Sequence, residues 1–267
     1  MLAEWIAYLT TPCPRHLRAM GYVKGLIGLE ARYRRCRQAW APHLENTKAA
    51  IVDAARACPA KGRAVVMGSG PLFDVPLAEL SALFDEVVLA DIFHMPKVRR
   101  MAGAHANVRL LSQDLSGVAE ALFEQSGPLP RPAPAGLPLQ GADLAVSANL
   151  LSQLPHLPRE YLAKTGRNDG QIDALSRSLI DNHLAALANF NGVACIVAET
   201  ERLITDGDEV IEAEDALHGV RFPQADRQWI WDIAPPPEMD RRYGLKMRIA
   251  AFTSHGEWTR KATRPEP

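Results

Sequence analysis

The chain has no run approaching the ~18 apolar residues of a membrane span. It also lacks a Cys-x-x-Cys pair and any histidine beside a cysteine at metal-ligand spacing. Its four cysteines, Cys13, Cys36, Cys58 and Cys195, stand alone, which predicts a reduced, cytoplasmic, soluble protein without a structural metal. Charge of one sign is missing too. Thirty Lys and Arg face 31 Asp and Glu for a net charge of −1, which argues against wholesale attraction to nucleic acid or an anionic membrane. No basic leader precedes the apolar residues Trp5, Ile6, Tyr8 and Leu9, and Thr10 and Pro12 close that stretch, so no signal peptide is expected. What is present, 47% hydrophobic and 23% charged residues over a length of 267, is the composition of a globular protein with one elaborated domain or one domain and an appendage.

Residues 1–60 read as a helical extension or lid. Trp5, Ile6, Tyr8 and Leu9 form one apolar stripe, and Leu26, Ile27, Leu29, Tyr33 and Cys36 recur at helical spacing until Pro42 interrupts. A further helix is predicted from Thr47 to Cys58, ended by Pro59. From Arg63 the pattern becomes short apolar runs alternating with helical stretches, the mark of a parallel sheet covered on both faces. Five successive strands are expected at Ala64–Met67, Glu86–Ala90, Val108–Leu111, Asp143–Ser147 and Val193–Ala198. The proline-rich stretch Ser126–Gln140 reads as a surface loop, and Ile172–Ala188 as an amphipathic helix closed by Asn191-Gly192. Trp229–Ile233 and Lys246–Phe252 add two strands joined by a long Pro235-Pro236-Pro237 loop. A main domain over 61–258 and a tail over 259–267 follow.

Chemistry concentrates at the ends of these strands. After Ala64-Val65-Val66-Met67 comes Gly68-Ser69-Gly70, a turn in which glycine lets backbone approach a ligand, and a helix should start just beyond it with free amides. Strand two ends in Asp91, 21 residues after Gly70, where a carboxylate can accept hydrogen bonds from both ribose hydroxyls. Strand three runs into Asp114, which can receive an adenine amino group or cap the helix expected around Val118–Phe123. In this order the motifs resemble those of the class I S-adenosylmethionine-dependent methyltransferases, over roughly Arg63 to Phe252. The resemblance implies an α/β fold, a doubly wound, mostly parallel, Rossmann-like sheet of seven strands whose last strand inserts antiparallel. It also implies S-adenosyl-L-methionine as cofactor, held by Gly68, Ser69, Gly70, Asp74, Asp91, Ile92, Asp114, Leu115, Ser147 and Asn149. Two departures stand out. Val66 occupies the place of the family's frequent acid, and Leu72 that of a frequent third glycine, so Asp74 or Ser69 would take over contacts to the methionine half.

Alternatives weigh less. A dinucleotide dehydrogenase would need glycine where Phe73 stands, whereas a non-catalytic cofactor-binding module remains compatible with every motif. The carboxyl end of strand four offers Ser147, Asn149, Ser152 and Gln153 as lining, with no Asp/Asn-Pro-Pro-Tyr or Pro-Cys signature of nucleobase enzymes. His156 and Glu199 are candidate bases and Glu201 a further acid, while Asn149, Gln153, Tyr22 and Tyr33 are candidate substrate contacts. His94 is expected to flank the adenosine, and His183 to be packed within its helix or on its surface. Residues 1–60 carry nine basic against four acidic residues, but helical geometry disperses Arg34, Arg35 and Arg37 around the axis. A small molecule with an O- or N-nucleophile is therefore expected in preference to RNA. No oligomeric state can be read.

Overall fold

The computed structural model describes residues 8, 11–124, 129–130 and 136–254. The expected stripe at Trp5, Ile6 and Leu9, the greater part of the Ser126–Gln140 loop and the tail from 259 lie outside them. Three helices open the chain: α1 (Arg15–Ala19), α2 (Tyr22–Arg35) and α3 (Arg37–Ala57). The alternating part follows with β1 (Arg63–Met67), α4 (Leu77–Leu83), β2 (Glu86–Asp91), α5 (Pro96–Ala102), β3 (Val108–Ser112), α6 (Ala119–Glu124), β4 (Leu144–Ala148), α7 (His156–Lys164), α8 (Asp169–Ala188) and β5 (Val193–Asp206). Three strands close it: β6 (Glu209–Asp215), β7 (Arg227–Ala234) and β8 (Tyr243–Thr253). Among the described residues no helix is long and apolar enough to cross a membrane.

The sheet has eight strands in the order β3-β2-β1-β4-β5-β8-β7, with β6 paired to β5 off this path. Strands β1 to β5 are parallel, and β8 inserts antiparallel between β5 and β7. This is the doubly wound architecture expected, with β6 added. The order reverses between β1 and β4, which opens the crevice where ligands sit in such sheets. Opposite faces are covered by different helices. Cys195, which pairs with Val146, turns toward the Ala50 carbonyl of α3, while Ser147, one residue on in β4, meets His183 of α8. The central strands are buried on both faces, and Val65, Val66, Leu144, Val146 and Ile196 are fully inaccessible. At about 1.5 to 3 kcal/mol per large apolar side chain, this layer is a principal source of stability.

Three boundaries differ from expectation. The chain breaks at Cys36 rather than at Pro42, and α3 runs unbroken through Pro42 to Ala57. Proline there forfeits one bond, to the Gln38 carbonyl, while Trp40, His43, Thr47, Ile51 and Ala54 recur every three or four residues and bury the helix against the sheet. Trp40 also donates its indole N–H to the Ile233 carbonyl at 2.9 Å. Helix α8 begins three residues before Ile172, where Asn168 caps it by accepting the Gln171 amide, and ends on Asn189. The β5–β6 hairpin was not expected, because every residue of β6 is exposed and carries no alternation of burial.

Candidate cofactor and substrate site

The glycine turn needs its glycines for different reasons. Gly68 has φ +74°, and a Cβ there would lie 2.8 Å from Leu150 Cβ and 3.1 Å from the Ala148 carbonyl. At Gly70, φ +48°, a Cβ would meet only the Gly68 carbonyl, at 3.9 Å. Leu72, at the third-glycine position, also adopts a left-handed φ of 62°, so the loop keeps its backbone shape while a buried leucine bears the strain. The expected helix does not start at once. Helix α4 begins at Leu77, and the Gly70 amide is bound at 2.7 Å by Asp91 Oδ2 instead of being left free.

Asp91 joins the ends of β1 and β2. Its Oδ1 accepts the Ile92 amide, also at 2.7 Å, and each oxygen retains a lone pair for a further donor. Burial pushes its pKa up to about 6 against the pull of those two amides. Asp114 takes the capping role: Oδ2 accepts the Ala119 amide at 2.8 Å, and Oδ1 the Ser116 amide and hydroxyl at 2.9 and 2.6 Å. Tyr22, at the first turn of α2, comes within electrostatic reach of both acids; burial, then Asp114 and Asp91, raise its phenol pKa and keep it protonated. Tyr22, read from sequence as a substrate contact, thus stands near the acids that end β2 and follow β3. Ile92 is half-buried there, and Leu115 is buried.

A second group of polar atoms gathers where β1 and β4 end. Asn149, in a left-handed conformation with φ 48°, donates its side-chain N–H to Asp74 Oδ2 at 2.6 Å. Burial raises the Asp74 pKa, and the Asn149 amide and the Lys48 charge oppose it. Ser69 Oγ and Asn149 Oδ1 are both buried without a hydrogen-bond partner. Such atoms are costly to leave unmet. Beside them lies His43, which the sequence reading passed over. Its ring stacks on Trp231 at 4.0 Å, and Nδ1 accepts the Trp229 indole N–H at 3.1 Å. Burial lowers its pKa to about 3. The neutral ring therefore carries its proton on Nε2, which lies 3.4 Å from Asn149 Nδ2, itself a donor to Asp74, so no hydrogen bond joins the two.

The remaining candidates divide. Ser147 is fully buried, its hydroxyl 3.0 Å from His183 Nε2 on the far face of the sheet, so its side chain does not line this edge. His94 is buried against the Leu89 carbonyl and Ser112 rather than facing the crevice. Glu199, 2% exposed, accepts the Ser152 hydroxyl at 3.0 Å and lies 3.4 Å from the Gln153 amide nitrogen. Burial raises its pKa, opposed first by Arg202. His156 lies 3.6 Å from Glu160, and burial lowers its pKa. Glu201 pairs with Arg248 at 2.7 Å. Tyr33 stacks on Phe73 of the glycine loop at 4.0 Å, and Arg35 grips Glu238 with bonds of 2.6 and 2.8 Å, so α2 touches both the glycine loop and the β7–β8 connection. Among the described residues no cluster is suited to a metal ion.

No family model matches the chain, and no curated relative matches it in sequence. Solved structures do resemble it. One is the N-methyltransferase NodS from Bradyrhizobium japonicum WM9 in complex with S-adenosyl-L-homocysteine. It is 12% identical over 77% of this chain and 85% of that one, with a TM-score of 0.36. Another is the Burkholderia thailandensis 1,6-didemethyltoxoflavin-N1-methyltransferase with its substrate and S-adenosylhomocysteine bound. Here identity is 14% over 90% of each chain, with a TM-score of 0.37. A Leishmania major S-adenosylmethionine-dependent methyltransferase is 14% identical over 83% of each chain, at 0.34. At these identities and scores the likeness carries nothing of function to this chain.

Proposed function

We propose that the protein is an S-adenosyl-L-methionine-dependent methyltransferase acting on a small molecule through an O- or N-nucleophile. The observation that carries this reading is Asn149 Oδ1, buried without a partner while its Nδ2 binds the Asp74 carboxylate at the sheet's reversal point, together with the buried, unpartnered Ser69 Oγ of the glycine turn. An acid and two polar acceptors suit the ammonium of the cofactor's methionine half. Asp91 would hold the ribose, while Asp114, Tyr22, Ile92 and Leu115 would enclose the adenine. When bound, the cofactor supplies a methyl group already activated by its sulfonium. The chain's own task is to orient the acceptor, exclude water and receive a proton.

Glu199 suits the last role better than His156, because it is buried and held by Ser152, whereas the His156 side chain is 42% exposed beside Glu160. Gln153 and Asn149 would contact the acceptor. Residues 1–60 would act as a lid, a role supported by the contacts of α2 with the glycine loop and with Glu238. A dehydrogenase is disfavoured because Phe73, where its third glycine would stand, packs under Tyr33. An RNA acceptor is disfavoured because Glu238 draws Arg32 and Arg35 into ion pairs. Calorimetry should show S-adenosylmethionine and S-adenosylhomocysteine binding in the micromolar range and no NAD binding; the reverse pattern overturns the proposal. Labelled cofactor supplied to a metabolite extract, with products read by mass spectrometry, separates an enzyme from a silent binding module.

A further inference from the structure

We infer that the acceptor carries a zwitterionic, α-amino-acid-like head group, its ammonium bound by Glu199 and its carboxylate by Arg202. This rests on the proposed function and names the substrate class of that site. In a regular strand, residues three apart point to opposite faces. Strand β5 departs from that rule, since its pairing with β8 slips between Glu199 and Glu201 and leaves Thr200 as an extra residue. Glu199 then stands opposite Ile249 and Arg202 opposite Met247, two apart on β8, so both side chains lie on one face. Their separation along the strand is about 6.6 Å.

Neither group forms an ion pair among the described residues, and Glu214, opposite Arg202 on β6, is exposed and stays beyond ion-pair distance of it. Glu199 is buried, receives only the Ser152 hydroxyl and two long contacts from Gln153, and forms no ion pair among the described residues. Arg202 makes no side-chain hydrogen bond or ion pair among them, and its Nε is buried without an acceptor. The two are close enough for Arg202 to favour the Glu199 carboxylate, and Arg202 also reaches His156 electrostatically. Burial keeps His156 neutral at neutral pH, and its charged neighbours Glu160 and Arg159 are paired with Lys164 and Asp173, which leaves Glu199 and Arg202 as the charges without an ion pair beside it. A lone cation would leave Arg202 uncompensated, and a lone anion would leave Glu199 so. A ligand that carries an ammonium and a carboxylate on one carbon meets both.

The test measures binding rather than turnover. Free L-amino acids, the amines that lack their carboxylates, and their N-acetyl derivatives are titrated calorimetrically with and without S-adenosylhomocysteine. At least one amino acid should bind about thirtyfold more tightly than its amine and than its N-acetyl derivative, the scale of a hydrogen bond between charged groups. Arg202→Met, which keeps the apolar stem, should erase the first difference, and Arg202→Lys should restore part of it. Glu199→Gln should erase the second. Equal binding of amino acid and amine by the unaltered protein, or no amino-acid binding, overturns the inference. Amino-acid binding without S-adenosylhomocysteine binding would uphold it while removing the cofactor reading, and the opposite result would do the reverse.

Discussion

Adding one methyl group to each glycine of the loop separates folding from binding. At Gly68 alanine must adopt φ +74° and place its Cβ 2.8 Å from Leu150 Cβ and 3.1 Å from the Ala148 carbonyl. The left-handed backbone costs a residue with a Cβ about 1 to 2 kcal/mol, and forcing a methyl group into packed surroundings about 1 to 3 more. Gly68→Ala should therefore lose about 2 to 5 kcal/mol of stability. At Gly70 the same backbone term applies, but the Cβ has room, so Gly70→Ala should lose only about 1 to 2 kcal/mol. Its new methyl group projects into open space on the turn whose amide binds Asp91, the proposed ribose ligand, and should weaken S-adenosylhomocysteine about tenfold or more, equivalent to about 1.4 kcal/mol. Urea unfolding measures the first effect. With a slope near 2 kcal/mol/M, the Gly68→Ala midpoint should fall by about 1 to 2.5 M without a change of slope, and calorimetry measures the second effect. A Gly68→Ala protein as stable as Gly70→Ala would refute the assigned packing of the loop on Leu150.

Three further outcomes are expected. Because burial raises Asp91 to about 6, its neutral form is favoured in the fold; its contribution to stability is present at low pH and is lost as pH rises toward 6. The ionised form accepts ribose hydroxyls, so affinity for S-adenosylhomocysteine should rise about tenfold from pH 5 to 7 and then level off, and a similar rise in Asp91→Asn would exclude this group as its source. Glu238→Gln weakens the clasp on Arg32 and Arg35 and should speed S-adenosylhomocysteine dissociation in stopped-flow measurements, as added salt should in the unaltered protein; unchanged rates would remove that clasp from the lid. Trp229→Phe leaves the buried His43 Nδ1 without its donor and should cost about 1 to 3 kcal/mol, with an unchanged melting temperature counting against it.

The sheet was legible because its strands are short, apolar and separated by helices, so their positions follow from periodicity to within a few residues, apart from the extension of β5 to Asp206. Strand β6 was not, since Glu209–Asp215 is exposed throughout and no core face imposes alternation. Its one local signal was Gly207-Asp208, a hairpin dipeptide with Gly207 at φ +60°. Helix α3 misled for another reason. Proline was read as a boundary, but one forfeited hydrogen bond is outweighed by the burial of Trp40 and Ile51 along the same stripe.

For the site, the strand ends could be read and the identity of their partners could not. Asp91 and Asp114 lie at the ends of adjacent strands, yet capping versus adenine contact at Asp114 depended on where α6 would start, and its start at Ala119 brings that amide onto the carboxylate. His43 and Arg202 were invisible for a deeper reason, since each gains meaning from a residue more than a hundred positions away or from a slipped register. Where the methyltransferases that the motifs resemble often carry an acid on the first strand, this chain has Val66, which is fully buried in the sheet, where a carboxylate would be desolvated without a partner. Asp74 places its carboxylate at the Asn149 end of β4 instead, one short loop after β1. To reach Asn149 from this loop the chain turns back toward β4, and the left-handed conformations at Gly70 and Leu72 contribute to that turn. Leu72→Gly would relieve strain there but give up a buried side chain, whose burial is worth about 1.5 to 3 kcal/mol against the 1 to 2 of the backbone. On that balance leucine is tolerated at a glycine position because it packs.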